Sequence, residues 1–201
     1  FGKADPAHVQ ERAQKQEPYE QNAFMKYLTI HGAVVLLVCV GFVGSVRAEM
    51  AVQACFSPDG KCATHILREI DNAKKELLVA VYAFTSDNLA LALVQARKRG
   101  VAIQVIIDRE FDSRNGRSKG KFLESQKIPV RRVSGGKPIN ADRESGLMHQ
   151  KFAIVDRRIV FTGSYNWTHS ADSVNDENLL VFRDADPLAE EYRKTFVRLW
   201  E

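Results

Sequence analysis

Apolar and polar positions are patterned from residue 51 onward as a regular succession of strands and helices. Residues 51–56 suit a first strand. Within 63–73, Ile66, Leu67 and Ile70 recur at helical spacing with charged residues on the other face, which predicts an amphipathic helix. Residues 77–84 form a continuous apolar run, as in a strand covered on both sides. Thr85-Ser86-Asp87 then offers capping side chains to a helix that carries Leu89, Leu91, Leu93 and Val94 and stops at Arg99-Gly100. Residues 101–107 read as a second buried strand, ending at Asp108. This strand–helix–strand order argues for parallel pairing in a layered α/β domain.

The second half is more broken. Residues 112–121 are polar, a short helix runs through Phe122 and Leu123, and 130–133 suits a strand. Residues 134–146 have the Gly, Pro and polar content of a loop. Strands follow at 151–155 and 159–162, joined tightly at Asp156-Arg157-Arg158, and another at 178–182. Residues 188–200 close the chain as an amphipathic helix with Leu188, Tyr192, Phe196 and Leu199 on one face. The expected fold is α/β, a mixed, largely parallel β-sheet flanked by helices on both faces.

Residues 1–48 do not fit that pattern. Residues 1–24 are polar without sustained periodicity, and the chain changes character at Met25. Lys26, the apolar stretch 33–43 and the small residues Val46 and Ala48 follow the three-part plan of a secretory signal, with cleavage before Glu49. The expected division is therefore an upstream segment 1–24 outside the mature protein, a signal peptide 25–48, and a catalytic domain 49–201 in the periplasm or outside the cell. The competing reading is an uncleaved membrane anchor. A spanning helix needs about 20 apolar residues, and 28–46 reaches that length only by including Thr29, His31 and Ser45. Export makes a disulfide between Cys55 and Cys62 reasonable, since the Pro58-Asp59-Gly60 turn brings them together. Two free thiols are the alternative.

With 201 residues, 45% hydrophobic and 27% charged, the chain is too apolar for intrinsic disorder and too charged for a mostly membrane-embedded protein. Net charge is only +4, so location matters more than the total. Arg114, Arg117, Lys119 and Lys121 cluster after the strand 101–107, at the edge where open α/β sheets place ligands. Together with Arg131, Arg132, Lys137 and Arg143 they are candidates to hold a phosphate backbone. Tyr165 and Trp167 are candidates to stack on a base.

Candidate chemistry gathers at 148–178. His149 and Lys151 stand two apart at the head of an apolar strand, so alternation puts both on one face. Ser164 and Asn166 follow the next strand, and Asp176-Glu177 lie beyond. A phosphodiester needs its non-bridging oxygens neutralised, which a lysine charge and Asn or Ser donors supply. It also needs a nucleophile, and a neutral imidazole can form a covalent phospho-enzyme. A carboxylate on the other ring nitrogen would hold the tautomer, and Glu177 is better placed for this than Asp176. No cluster has convincing metal-ligand spacing, so no metal and no other cofactor is expected.

The pattern His149-x-Lys151-x4-Asp156, then six residues, then Gly163-Ser164-x-Asn166, resembles the signature of the phospholipase D superfamily. Residues 79–108 are similar to the family's first half, and a single copy of the motif in a body of this length resembles the small secreted bacterial endonucleases of the Nuc type. The resemblance implies that His149 is the nucleophile, Lys151 and Asn166 bind phosphate oxygens, Ser164 supports the pocket and Glu177 orients His149. It implies that Asp156 is structural, that Gly163 belongs to the motif, and that no divalent metal is required. Two displacements also need a second acid and base, and one motif lacks a second histidine. A homodimer with two His149 side chains sharing one site supplies it. The expected function is sequence-nonspecific endonucleolytic hydrolysis of DNA, with RNA open. The alternatives are a phospholipase D or phosphatidyl transferase acting on lipid, and a catalytically silent nucleic-acid-binding domain.

Overall fold

The computed structural model describes residues 49–136 and 146–201. The expectations for the upstream segment, the leader and the cations Lys137 and Arg143 lie outside the described residues. Seven strands form one sheet: β1 (Ala51–Ser57), β2 (Glu76–Val81), β3 (Ala102–Asp108), β4 (Val130–Val133), β5 (Lys151–Val155), β6 (Ile159–Gly163) and β7 (Glu177–Arg183). Their order across the sheet is β1-β7-β6-β5-β2-β3-β4. Six helices accompany them among the described residues: α1 (Cys62–Asn72), α2 (Asp87–Lys98), α3 (Arg109–Arg114), α4 (Gly120–Ser125), α5 (His169–Ser173) and α6 (Asp186–Trp200).

The sheet is mixed and has helices on both faces, as the pattern predicts, but it is not largely parallel. Among the described strands only β2–β3 and β3–β4 pair in parallel; β2–β5, β5–β6, β6–β7 and β1–β7 are antiparallel. Connection length explains the difference. A parallel pair needs a crossover of about a dozen residues or more, which α2 provides between β2 and β3. Only Asp156-Arg157-Arg158 separates β5 from β6. Asp156 and Arg157 both have positive φ, 50° and 60°, the backbone setting in which a tight hairpin follows the twist of its strands.

One face of the sheet, with Val79, Val105, Ala153 and Val181, packs under α1 and α2 through Ile66, Ile70, Leu89 and Leu93. The other face, with Ala80, Ile106, Phe152 and Ile154, is covered by α6 through Ala189 and Phe196. The central strands β2, β3 and β5 are apolar on both faces because both faces are covered. A disulfide bond joins Cys55 to Cys62, Cα atoms 5.7 Å apart, tying the end of β1 to the first turn of α1. Helices α3 and α5 fall in stretches to which the apolar pattern assigns no helix. At six and five residues they are too short to show apolar periodicity. Their caps mark them instead: Asp108 accepts from the Phe111 N–H and Thr168 from the Ala171 N–H.

Candidate active site

Antiparallel pairing of β5 with β2 and β6 brings the end of β2, the start of β5, the end of β6 and the start of β7 to one edge of the sheet. There an open pocket of about 460 Å³ is lined by His149, Lys151, Gly163, Ser164, Asn166, Glu177 and Asn178. All five predicted catalytic side chains thus meet in one place, although His149 and Glu177 are 28 residues apart in sequence.

Each side chain is held by its own local device. Lys151 opens β5, and its Nζ donates to the His149 carbonyl at 2.9 Å. Burial of Lys151 pushes its ammonium below the ordinary lysine range, and the Glu177 carboxylate acts in the opposite direction. Its charge is therefore partly stripped of water, which strengthens its pull on an anion. Asn166 accepts the Ala83 N–H on Oδ1 at 3.2 Å, which leaves the Nδ2 group as its donor. Ser164 Oγ accepts the Asn178 N–H at 3.0 Å, while the Asn178 carbonyl accepts from the N–H groups of Ser164 and Tyr165. Glu177 accepts from Asn175 Nδ2 at 3.2 Å. Among the described residues no hydrogen bond joins Glu177 to His149.

Gly163 explains itself by space. Its φ is +141°, and a Cβ placed there collides with the carbonyl oxygen and side chain of Asn178. Gly163→Ala is therefore expected to cost about 1–3 kcal/mol from the backbone conformation alone and to displace Ser164 and Asn178 from the pocket. Thermal melting and kcat on a phosphodiester substrate check this. A lowered melting temperature and a reduced kcat are expected together.

Three residues outside the predicted set complete the surroundings. Asn178 lines the pocket and locks Ser164. Asp108, 1% exposed, takes the Phe111 N–H on one oxygen and the Met148 N–H on the other, both at 2.9 Å. It thereby ties the end of β3 to the backbone immediately before His149. Tyr82 packs its ring against that of His149, centroids 4.8 Å apart. The sequence signal for Asp108 was its position at the end of an apolar strand; Tyr82 lay hidden in the run preceding Thr85.

Asp156 sits at the far end of β5. Its carboxylate accepts the backbone N–H groups of Lys74, Lys75 and Glu76 at 2.8, 2.7 and 3.0 Å. It pins the entry to β2 and touches no pocket residue.

The predicted binding set is only partly placed at the site. Arg114 and Arg117 line a second groove of about 490 Å³ with Tyr82, Glu110, Phe111, Asn115, Gly116 and Leu147. Arg114 is ion-paired with Glu110 one helical turn away. Lys121 is exposed and lines neither cavity. Lys119 does not face a ligand: it is largely buried and ion-paired with Asp87 at the head of α2. Arg132 is taken up by Asp112 and Glu124, each at 2.6 Å, and Arg131 bonds the Glu201 carbonyl. Trp167 is no stacking platform. It is 2% exposed, edge-on to Phe84, and its backbone is bonded to Ala83, Thr85 and Ser86. Tyr165 is likewise buried, with its hydroxyl donating to Asp172 at 2.7 Å. Both rings belong to the core beneath α1 and α2.

This fold and site are those of the phospholipase D superfamily. The family described as "Cardiolipin synthase, PLD-like domain" matches residues 66–200, and the chain belongs to it. The chain is similar to the mitochondrial cardiolipin hydrolase of Xenopus laevis, 38% identical over 138 residues that cover 69% of this chain and 60% of that protein. It is also similar to a phospholipase D of Rickettsia felis, 31% identical over 146 residues, 73% of this chain and 68% of the relative. Two solved structures share the fold. Nuc from Salmonella typhimurium, a phospholipase D family member, has a TM-score of 0.67 and 32% identity, covering 76% of this chain and 95% of that one. NucT from Helicobacter pylori has a TM-score of 0.70 and 29% identity, covering 76% and 96%. The chain thus spans about three fifths of the frog hydrolase and nearly the whole of each solved chain.

Proposed function

We propose that this protein is a metal-independent endonuclease that hydrolyses DNA through a phosphohistidine intermediate on His149. The observation that carries the reading is the convergence of His149, Lys151, Ser164, Asn166 and Glu177 in one open pocket beside the groove of Arg114 and Arg117. An open site next to exposed cations suits a long polyanion bound by its phosphates rather than its bases.

In the first displacement the imidazole nitrogen of His149 bonds to phosphorus and the bond to the leaving oxygen breaks. Lys151 and Asn166 Nδ2 hold the non-bridging oxygens, where charge builds. A proton must reach the leaving oxygen. In the second displacement water bonds to phosphorus, the phosphorus–nitrogen bond breaks, and the same group takes the water proton. His65 on α1 and His169 on α5 do not line the pocket. We assign the acid and base to His149 of a second copy, so that the active species is a homodimer with one shared site. Export by a leader at 25–48 fits the Cys55–Cys62 disulfide and is part of the same proposal.

A second reading, cleavage of lipid phosphodiesters, draws support from Leu147, 48% exposed, which joins Phe111 in the groove, and from the relatives' names. One experiment ranks them: plasmid DNA and phospholipid vesicles are each incubated with the purified protein in excess EDTA. Plasmid nicking that persists in EDTA and falls steeply with salt is expected. Nicking that requires a divalent metal overturns the mechanism, and release of lipid headgroup without nicking overturns the substrate. Sedimentation of the active species gives a dimer on this account; an active monomer refutes the shared site.

A further inference from the structure

We propose that Tyr82 is a positioning residue of this site, its ring fixing the orientation of the His149 imidazole and seating the Lys151 ammonium. The proposal rests on the phosphodiesterase reading above. Tyr82 follows β2 directly, and its N–H donates to the Gln150 carbonyl at 2.8 Å. Gln150 lies between His149 and Lys151, so this bond sets the Tyr82 ring against both. The Tyr82 and His149 centroids are 4.8 Å apart with planes inclined at 56°, and Lys151 Nζ lies 5.2 Å from the Tyr82 centroid.

The ring is itself braced. Phe111 packs on it at 5.5 Å and 52°. The Phe111 N–H and the Met148 N–H share the Asp108 carboxylate. Tyr82, Phe111, Asp108 and the backbone leading into His149 therefore close a loop of contacts around the nucleophile.

His149 needs such support. It is exposed, and among the described residues no hydrogen bond restrains its ring. An exposed imidazole samples several rotamers, whereas attack on phosphorus demands one, with the reacting atoms about 3–3.5 Å apart. Packing on Tyr82 selects the rotamer. The ring also attracts a cation, and Lys151 Nζ lies over it. It offsets the burial that works against the charge of Lys151, and it faces the positive charge that the imidazole gains on bonding to phosphorus. The Tyr82 hydroxyl makes no hydrogen bond among the described residues, so the work falls to the ring.

The test compares Tyr82→Phe with Tyr82→Leu, using bis(4-nitrophenyl) phosphate as the diester, with melting curves for both. Phe is expected to keep wild-type kcat. Leu is expected to lose about 10²-fold in kcat, the cost of a misaligned reacting group, with a much smaller change in KM. In NMR spectra the His149 imidazole protons are expected to show the ring-current shift of an adjacent aromatic in the wild type and the Phe variant, and to lose it in the Leu variant. A Leu variant with wild-type kcat overturns the proposal, as does a Phe variant as slow as Leu. If the Leu variant does not fold, the Phe variant and the wild-type shift decide. The NMR arm separates the two levels. A wild type that cleaves no diester but shows the shift refutes the phosphodiesterase reading alone, and a missing shift refutes the positioning.

Discussion

Replacing His149 by alanine is expected to lower phosphodiester hydrolysis by about 10⁴–10⁶-fold, the range reached when a catalytic nucleophile is removed. The size follows from its role. Lys151, Ser164 and Asn166 can still gather a phosphate, but without the imidazole no covalent step is available and water must attack directly. Substrate binding is expected to survive, because these phosphate ligands remain in the pocket. Melting temperature is expected to stay where it was, since the His149 side chain is exposed and carries no structural hydrogen bond among the described residues. Paired kinetics and melting curves check both parts. A variant that retains even one tenth of the activity contradicts the assignment of the nucleophile.

Asp156→Ala is expected to do the reverse, costing stability and sparing chemistry. The carboxylate accepts three consecutive backbone N–H groups at the mouth of β2. Hydrogen bonds to a charged group are worth about 1.5–3 kcal/mol each when well shielded. Two of the three here are exposed to solvent, so the summed loss is expected near 3 kcal/mol. For a domain of this size that lowers the melting temperature by about 6–12 °C. Turnover per folded molecule is expected to hold at low temperature, because Asp156 lies at the other end of β5 from the pocket. Denaturant titration beside kcat at 15 °C separates the two effects. Asp156→Asn, which keeps an acceptor oxygen but not the charge, is expected to fall between alanine and wild type.

The contrast between His149 and Asp156 shows how much of this protein is legible in its sequence. Both belong to one spaced motif, and the alternation of β5 fixes them at opposite ends of an apolar strand of five residues. The candidate constellation is readable because His149, Lys151, Asp156, Gly163, Ser164 and Asn166 stand at the spacing of one motif, with residue types that suit a phosphodiester. The strands and long helices were readable for the complementary reason, since their apolar residues repeat with the period of the element. Sheet direction was less accessible. The run from β2 to β3 signals a parallel crossover, but nothing in the composition of β7 says that β1 will pair with it antiparallel across 120 residues of chain.

Side chains that act through their neighbours were the least visible. Lys119 and Arg132 carry the same charge as Arg117, and only tertiary structure reveals that Asp87, Asp112 and Glu124 have claimed them. Trp167 looks like a stacking residue until the structure shows it buried edge-on against Phe84. Conversely, Tyr82 reads as one more apolar position in a buried run, yet it emerges at the strand end beside His149. Asp108 is a buried carboxylate whose two partners, Phe111 and Met148, are backbone groups and leave no mark in the side-chain pattern.

The central claim is covalent catalysis by His149, and stereochemistry at phosphorus tests it most directly. Hydrolysis of a diester made chiral at phosphorus by sulfur and oxygen-isotope substitution gives a product whose configuration counts the displacements. Two in-line displacements through phosphohistidine predict overall retention. Inversion would mean a single attack by water and would contradict the account.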